Sequence, residues 1–144
     1  MKKIMILLLV LASAVFADTR LAEPVPSIDK PREVVLGVSS GDDETIQHVL
    51  STANNVLKFY GPEKVHMRIV AYYHGIRTVL KREKEFAPRV DALQQYGVEF
   101  VACGNTMRTK NIQPSELIDG VEIVSAGIAE IIERSAEGAV YIHP

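Results

Sequence analysis

Short apolar runs rich in β-branched residues alternate with stretches of helical character along most of this chain. The predicted strands are residues 32–39, 65–73, 98–102, 121–124 and 139–142. The predicted helical segments are residues 42–60, 76–85, 86–96, 105–111 and 125–136. Because parallel strands need a long crossover between them, this alternation predicts right-handed crossovers and helices on both faces of one sheet. We therefore expect an α/β protein, a three-layer sandwich with a mainly parallel β-sheet.

The first helical segment has the clearest periodicity. Its apolar residues recur at spacings of three and four, which predicts one stripe packed on the sheet. These residues are Ile46, Val49, Leu50, Ala53, Val56, Leu57 and Tyr60. Asp42 or Asp43 suits the start of the helix, and Gly61 followed by Pro62 suits its end.

The amino-terminal residues match a secretory signal peptide. Lys2 and Lys3 precede the apolar run 4–11, and small residues follow up to Ala17. We predict a signal peptide at 1–17, an extended proline-containing arm at 18–31 and a single domain at 32–144. The apolar run is too short to span a bilayer comfortably, so we expect a periplasmic or secreted protein without stable membrane insertion.

Charge and motif content exclude several classes of function. The net charge is −2 and the chain has no basic, aromatic-interleaved stretch, which argues against nucleic acid as a ligand. No CxxC pair, GxGxxG loop or GxxxxGK[ST] loop occurs in the sequence. One cysteine and four scattered histidines give no metal-ligand spacing, so we predict neither a metal site nor a cofactor.

Polar residues and glycines follow three predicted strands at the point where each strand ends. They are Ser39, Ser40 and Gly41 after the first strand, His74 after the second, and Cys103, Gly104, Asn105 and Thr106 after the third. Ligands of parallel sheets gather at the carboxyl ends of the strands. We therefore predict Cys103 as the catalytic residue and the other seven as binding residues.

Cys103 is the single cysteine and cannot form an internal disulfide. A strand running into a turn and a helix start places its thiol beside backbone N–H groups, with Arg108 and Lys110 close behind. This arrangement predicts a lowered pKa and a reactive thiol. A free cysteine can equally be an inert core residue, and both interpretations stay open.

The neighbouring residues also have two interpretations each. His74 is either a neutral histidine that satisfies loop backbone groups, or a residue that binds ligand or polarises Cys103. A Cys103–His74 pair for acyl transfer is conceivable, but no third orienting group is evident. Asn105 and Thr106 are predicted to cap a helix, and their N–H groups could also hold an anionic sulfur species.

A family resemblance covers nearly all of the chain after the arm, from Glu33 to Pro144. It is carried by the pattern Cys103-Gly-Asn-Thr-Met107, the turn Ser125-Ala-Gly127, and Glu130, Glu137-Gly138, Tyr141 and Pro144. These features resemble the DsrE/DsrF-like family of sulfur-relay (intracellular sulfur oxidation) proteins, in what looks like an exported branch. The resemblance implies a three-layer α/β fold, homotrimers or homohexamers, and a strand-end cysteine that carries sulfur as a persulfide.

Two functional hypotheses follow. The first is an exported sulfur carrier or sulfurtransferase that uses Cys103, with an unidentified sulfur donor and acceptor. The second is a non-catalytic, oligomeric module that binds a small ligand on the same fold. Tyr72, Tyr73 and Tyr141 add aromatic surface that one small domain does not readily bury, which predicts self-association.

Overall fold

A computed structural model describes residues 18–144. The predicted signal peptide at 1–17 lies outside the described residues. The strands are β1 (Arg32–Val38), β2 (Val65–Ala71), β3 (Glu99–Cys103), β4 (Glu122–Val124) and β5 (Val140–Ile142). The α-helices are α1 (Asp43–Tyr60), α2 (Ala87–Gln95), α3 (Gly104–Thr109) and α4 (Gly127–Ala136). Two 3-10 helices occupy Tyr73–Val79 and Pro114–Glu116.

The five strands form one sheet in the order β4-β3-β2-β1-β5, and every neighbouring pair is parallel. The predicted α/β fold with a parallel sheet and helices on both faces is therefore confirmed. From β4 at one edge of the sheet, the chain crosses through α4 to β5, which pairs with β1 at the opposite edge. Among residues 18–144, no helix is long and apolar enough to cross a membrane.

Strand alternation sends side chains to two unequal faces of the sheet. The larger core packs α1 and α2 against one face and includes Leu36, Ile69 and Phe100. The smaller core, on the α4 face, consists of Val35, Val70, Val101 and Ile131 with half-buried residues around them. Helix α1 begins at its N-cap Asp42, whose carboxylate accepts the N–H of Thr45, as the sequence predicts.

The predicted helix at 76–85 is wrong in its extent and type. The 3-10 helix ends at Val79, and Leu80 has extended backbone angles and forms an antiparallel bridge with Leu117. Lys81 N–H donates to the carbonyl of Glu116, and Ile118 N–H donates to the carbonyl of Val79. Pairing with a segment some 37 residues away in sequence thus replaces the local helical hydrogen bonds.

The amino-terminal arm is exposed to solvent, whereas β2 is buried within the subunit. Residues 18–31 are almost entirely exposed, with Pro26 buried and the Arg32 guanidinium bound to the carbonyl of Ala22. Strand β2 lies in the centre of the sheet, so its apolar residues are buried within the subunit. Of the tyrosines expected at an interface, Tyr73 and Tyr141 are 60% and 43% exposed.

Candidate functional site

Cys103 ends β3 and is also the N-cap residue of α3. Its side chain lies on the α4 face of the sheet, two residues after Val101 of the smaller core. The residue is only 5% exposed. The thiol is therefore covered by the start of α4 and does not project freely from the edge of the sheet.

Hydrogen-bond donors surround the sulfur. The N–H of Gly127, the first residue of α4, donates to Cys103 Sγ over 3.2 Å. Burial raises the pKa of the Cys103 thiol, but hydrogen bonds from the Thr106 hydroxyl and from the N–H groups of Gly127, Thr106 and Asn105 outweigh it and lower the pKa. Donors that favour a thiolate are therefore supplied by the amino-terminal ends of two helices.

Gly127 allows this contact because it has no side chain. A Cβ at this position would lie 3.1 Å from the Cβ of Cys103 and 3.1 Å from a methyl carbon of Val70. Gly104 is similarly confined, since a Cβ there would lie 2.8 Å from the carbonyl oxygen of Val124. Both glycines permit close approach of β3, β4 and α4 around the sulfur.

The predicted cations do not explain the lowered pKa of the thiol. The guanidinium of Arg108 is hydrogen-bonded to the side-chain oxygen of Asn105, and Lys110 Nζ lies 3.1 Å from His74 Nδ1. The predicted capping role of Asn105 and Thr106 is also wrong, because Cys103 is the N-cap residue and both lie inside the first turn of α3. The Thr106 hydroxyl instead helps to lower the pKa of Cys103.

Four of the predicted binding residues line one cavity of about 710 Å³. Ser39, Ser40 and Gly41 follow β1, and His74 lies across from them in the 3-10 helix. Gly41 fits closely under His74, because a Cβ would lie 2.9 Å from the His74 carbonyl oxygen. The residues after β1 and β2 therefore do converge on one pocket, as the parallel arrangement of their strands predicts.

Cys103, Gly104, Asn105 and Thr106 are not among the residues that line this cavity. The structure thus separates the eight predicted site residues into a cavity group and a sulfur group. Thr106 is common to both: its Oγ1 accepts the Tyr73 N–H over 2.9 Å, and its hydroxyl helps to lower the pKa of Cys103. Within residues 18–144, no hydrogen bond joins Cys103 to His74.

Several residues of the two groups were not identified as site residues by the sequence reasoning, among them Gly127, Tyr73 and Arg77. Gly127 donates to the sulfur, and Tyr73 and Arg77 line the cavity. A signal for Gly127 exists in the sequence: the strand at 121–124 is followed by a turn and a helix, as is β3. Because neighbouring parallel strands end side by side, the N–H groups after β4 lie next to those after β3. Tyr73 has a backbone φ of 52°, which no sequence pattern indicates for a tyrosine.

The fold and the sulfur site define an α/β protein with a strand-end thiol, held by N–H groups at the carboxyl edge of a parallel sheet. The chain belongs to the DsrE/DsrF-like family, whose model matches residues 33–144. No curated protein matches the chain well enough to add a more specific assignment.

Two solved structures resemble the chain over most of its length. MTH1491 of Methanobacterium thermoautotrophicum, described as a protein of unknown function, is 30% identical and superposes with a TM-score of 0.75. The match covers 78% of this chain and 99% of MTH1491. The ychN protein of E. coli is 15% identical, with a TM-score of 0.64 and coverage of 78% of this chain and 99% of its own. The second likeness shows the shared fold.

Proposed function

We propose that this protein carries sulfur as a persulfide on Cys103. The observation that supports the proposal most directly is the set of donors around the sulfur, which lowers the pKa of the thiol despite its burial. The thiolate is the nucleophilic form of cysteine, and a lower pKa increases its fraction at neutral pH. Membership of the DsrE/DsrF-like family agrees with a role in sulfur relay.

The loading step exchanges one S–S bond for another. The Cys103 thiolate attacks the outer, sulfane sulfur of a donor persulfide, thiosulfonate or thiosulfate, and the donor S–S bond breaks. The donor leaves as a thiolate, a sulfinate or sulfite respectively, taking the electron pair of the broken bond. Cys103 then holds the transferred sulfur as a persulfide anion, which the N–H of Gly127 and the hydroxyl of Thr106 are placed to stabilise. No net oxidant or reductant is needed.

Intact mass measurement tests the proposal. Protein purified without reductant, or incubated with thiosulfate, is expected to gain the mass of one sulfur atom, and dithiothreitol should remove it. The Cys103→Ser variant should show no gain under the same conditions. A protein that gains no sulfur from either a persulfide or thiosulfate donor would contradict the carrier function.

The second candidate is a non-catalytic, oligomeric module that binds a small ligand. Two observations favour it: Cys103 is only 5% exposed, and a separate cavity gathers Ser39, Ser40, Gly41 and His74. The rate of iodoacetamide modification in the folded protein separates the two candidates. Fast modification near neutral pH supports the carrier, whereas a slow thiol that reacts only on unfolding supports the binding module.

We further propose that the protein is exported and acts as a homotrimer or homohexamer, with a sulfur donor and acceptor that are themselves outside the cytoplasm. Export is supported by the signal-like sequence 1–17. Self-association is supported by exposed apolar side chains, among them Tyr73, Tyr141, Ile128 and Ile132.

A further inference from the structure

The cavity at the end of β1 has a polar side and an apolar side. Its volume of about 710 Å³ falls in the range of small-molecule sites. The apolar side is formed by Ile76, Leu80 and Ile112, which are all buried in the core. Ser39 and His74 are among the residues of the polar side. A ligand that fits both sides has an apolar body and one polar end.

Most charged side chains around the cavity are already paired. Arg82 Nη1 lies 3.1 Å from a carboxylate oxygen of Glu116. Arg77 binds Glu83 through two of its nitrogens, at 3.2 and 2.8 Å, and also reaches Asp43 at 3.0 Å. These pairs neutralise both arginines, so neither offers an uncompensated charge to a ligand.

Asp42 also lines the cavity, and its carboxylate is held by local hydrogen-bond donors. The carboxylate accepts the hydroxyl of Ser40 and the N–H of Thr45 at the start of α1. These hydrogen bonds, that of Ser40 first, lower the pKa of Asp42 to about 2. The carboxylate is therefore fixed in its capping role and directed at the first turn of α1.

Lys110 differs from the other charged residues of the cavity. Within the part of the chain that the structure describes, its ammonium forms no ion pair with a carboxylate. It lies 3.1 Å from His74 Nδ1 and 5.7 Å from the centre of the Tyr73 ring, which itself contacts the His74 ring at 3.9 Å between centroids. An ammonium that lines a cavity and has no carboxylate partner of its own is a ready counter-ion for an anion.

The contact between Lys110 and His74 fixes which atoms can bind a ligand. An ammonium is a donor without acceptor capacity, so Nδ1 of His74 must accept, and the proton of the neutral ring is on Nε2. Nε2 is then a donor, as are the remaining N–H groups of Lys110. The Ser39 hydroxyl, which lies 3.4 Å from His143 Nε2, is a further polar group on this side. Lys110 brings a positive charge that pairs with no carboxylate of residues 18–144.

We propose that this cavity binds a small organic oxyanion, a carboxylate or sulfonate with an apolar body. Lys110 Nζ and His74 Nε2 hold the anionic head, and Ile76, Leu80 and Ile112 surround the body. The site is separate from the sulfur, because Cys103 does not line the cavity. The proposal goes beyond sulfur transfer and does not depend on it.

Probes of the same shape and different charge test the proposal. Titration calorimetry or chemical-shift titration would compare benzoate and benzenesulfonate with benzamide, which is neutral, and with inorganic sulfate, which has no apolar body. Benzoate or benzenesulfonate should bind at least about tenfold more tightly than benzamide and sulfate, as expected for a charge-assisted hydrogen bond. No sulfur donor is present, so the result is independent of whether Cys103 carries sulfur.

A matched pair of lysine variants locates the site. Lys110→Met keeps the length of the side chain and removes its charge, and should weaken benzoate binding on the order of tenfold. Lys84→Met changes an exposed lysine outside the cavity and should leave the affinity unchanged. Equal affinity for benzoate and benzamide, unchanged affinity in Lys110→Met, or no binding of either anion at millimolar concentration would overturn the proposal. The probe comparison on the unmodified protein decides the matter even if Lys110→Met does not fold.

Discussion

The N–H of Gly127 donates to Cys103 Sγ over 3.2 Å and so joins the start of α4 to the end of β3, 24 residues earlier. The contact is possible because β3 and β4 are parallel neighbours, with Cys103 in register with Val124. It gives the sulfur a donor from the longer helix α4 in addition to those from α3. The properties of the thiol therefore depend on how α4 is seated on the sheet.

Thr106 is expected to control the acidity of the thiol. Thr106→Val removes a hydroxyl that lowers the pKa of Cys103 and that accepts the Tyr73 N–H. The pKa of Cys103 should rise, because a stabiliser of the thiolate is lost, and the free energy of unfolding should fall by about 1 kcal/mol. The pH dependence of iodoacetamide modification and urea denaturation measure the two effects. Thr106→Ser, which keeps the hydroxyl, is the control; identical pH midpoints for the valine variant and the parent would contradict this role.

Gly127→Ala should disturb both packing and the sulfur. The added Cβ would lie 3.1 Å from the Cβ of Cys103 and 3.3 Å from that of Tyr72, so α4 must shift away from the sheet. We expect a loss of about 1–3 kcal/mol in the free energy of unfolding. The pKa of Cys103 should rise as the Gly127 N–H moves off the sulfur. Ala129→Ser, at an exposed position of the same helix, should change neither property. Unchanged stability and thiol acidity in Gly127→Ala would refute the geometry.

Glu83 should make stability depend on pH in the acid range. The hydrogen bonds from Arg77 lower the pKa of Glu83 below its unfolded value of 4.5. The carboxylate therefore contributes stability above pH 4.5, and this contribution is lost as the pH falls through the folded pKa. Glu83→Gln should cost about 1 kcal/mol at pH 7, a modest value because the 36% exposure of Arg77 leaves the pair screened by solvent.

Urea denaturation of Glu83→Gln and the parent at several pH values tests this dependence. The difference in stability should shrink as the pH is lowered below 4.5. Glu63→Gln removes an exposed carboxylate outside the ion pairs of residues 18–144 and serves as the control. A difference that stays constant between pH 7 and pH 3 would show that Glu83 does not act through its charge.

Self-association should use the outer face of α4. Ile128 and Ile132 are one helical turn apart on α4 and are 50% and 58% exposed. Light scattering is expected to give a mass of three or six subunits at micromolar concentration. Ile132→Glu should shift the population toward smaller species, because a charge in an apolar interface is costly. Gln95→Glu adds the same charge at an exposed position elsewhere and should have no effect. A purely monomeric parent protein would exclude this assembly.

Export predicts a shorter mature chain. Cleavage after Ala17 should leave Asp18 as the first residue, and cell fractionation should place the protein outside the cytoplasm. Intact mass and amino-terminal sequencing of protein from the native host measure this. Replacement of Leu8 by Arg within the apolar run should block processing. Recovery of the full-length chain from the cytosol would contradict export.

Much of the fold is readable from the sequence because it depends on local patterns. All five strands lie where the β-branched runs predict them, and α1 spans the segment with the apolar stripe and the capping Asp42. The position of Cys103 at a strand end and the grouping of Ser39, Ser40, Gly41 and His74 follow from the same patterns combined with parallel pairing. These features require no knowledge of contacts between distant side chains.

Tertiary structure decided what local patterns cannot encode. Side-chain alternation along β3 turns Cys103 toward α4, whereas the cavity forms beside the 3-10 helix. The residues expected at one site therefore lie in two groups, and Thr106 is in contact with Tyr73 of the cavity group. The bridge between Leu80 and Leu117 ended a helix that the local sequence favours. Gly127 reaches the sulfur only because β3 and β4 end side by side. Each of these outcomes arises from contacts between segments distant in sequence, whose free energies exceed the local preferences of a few residues.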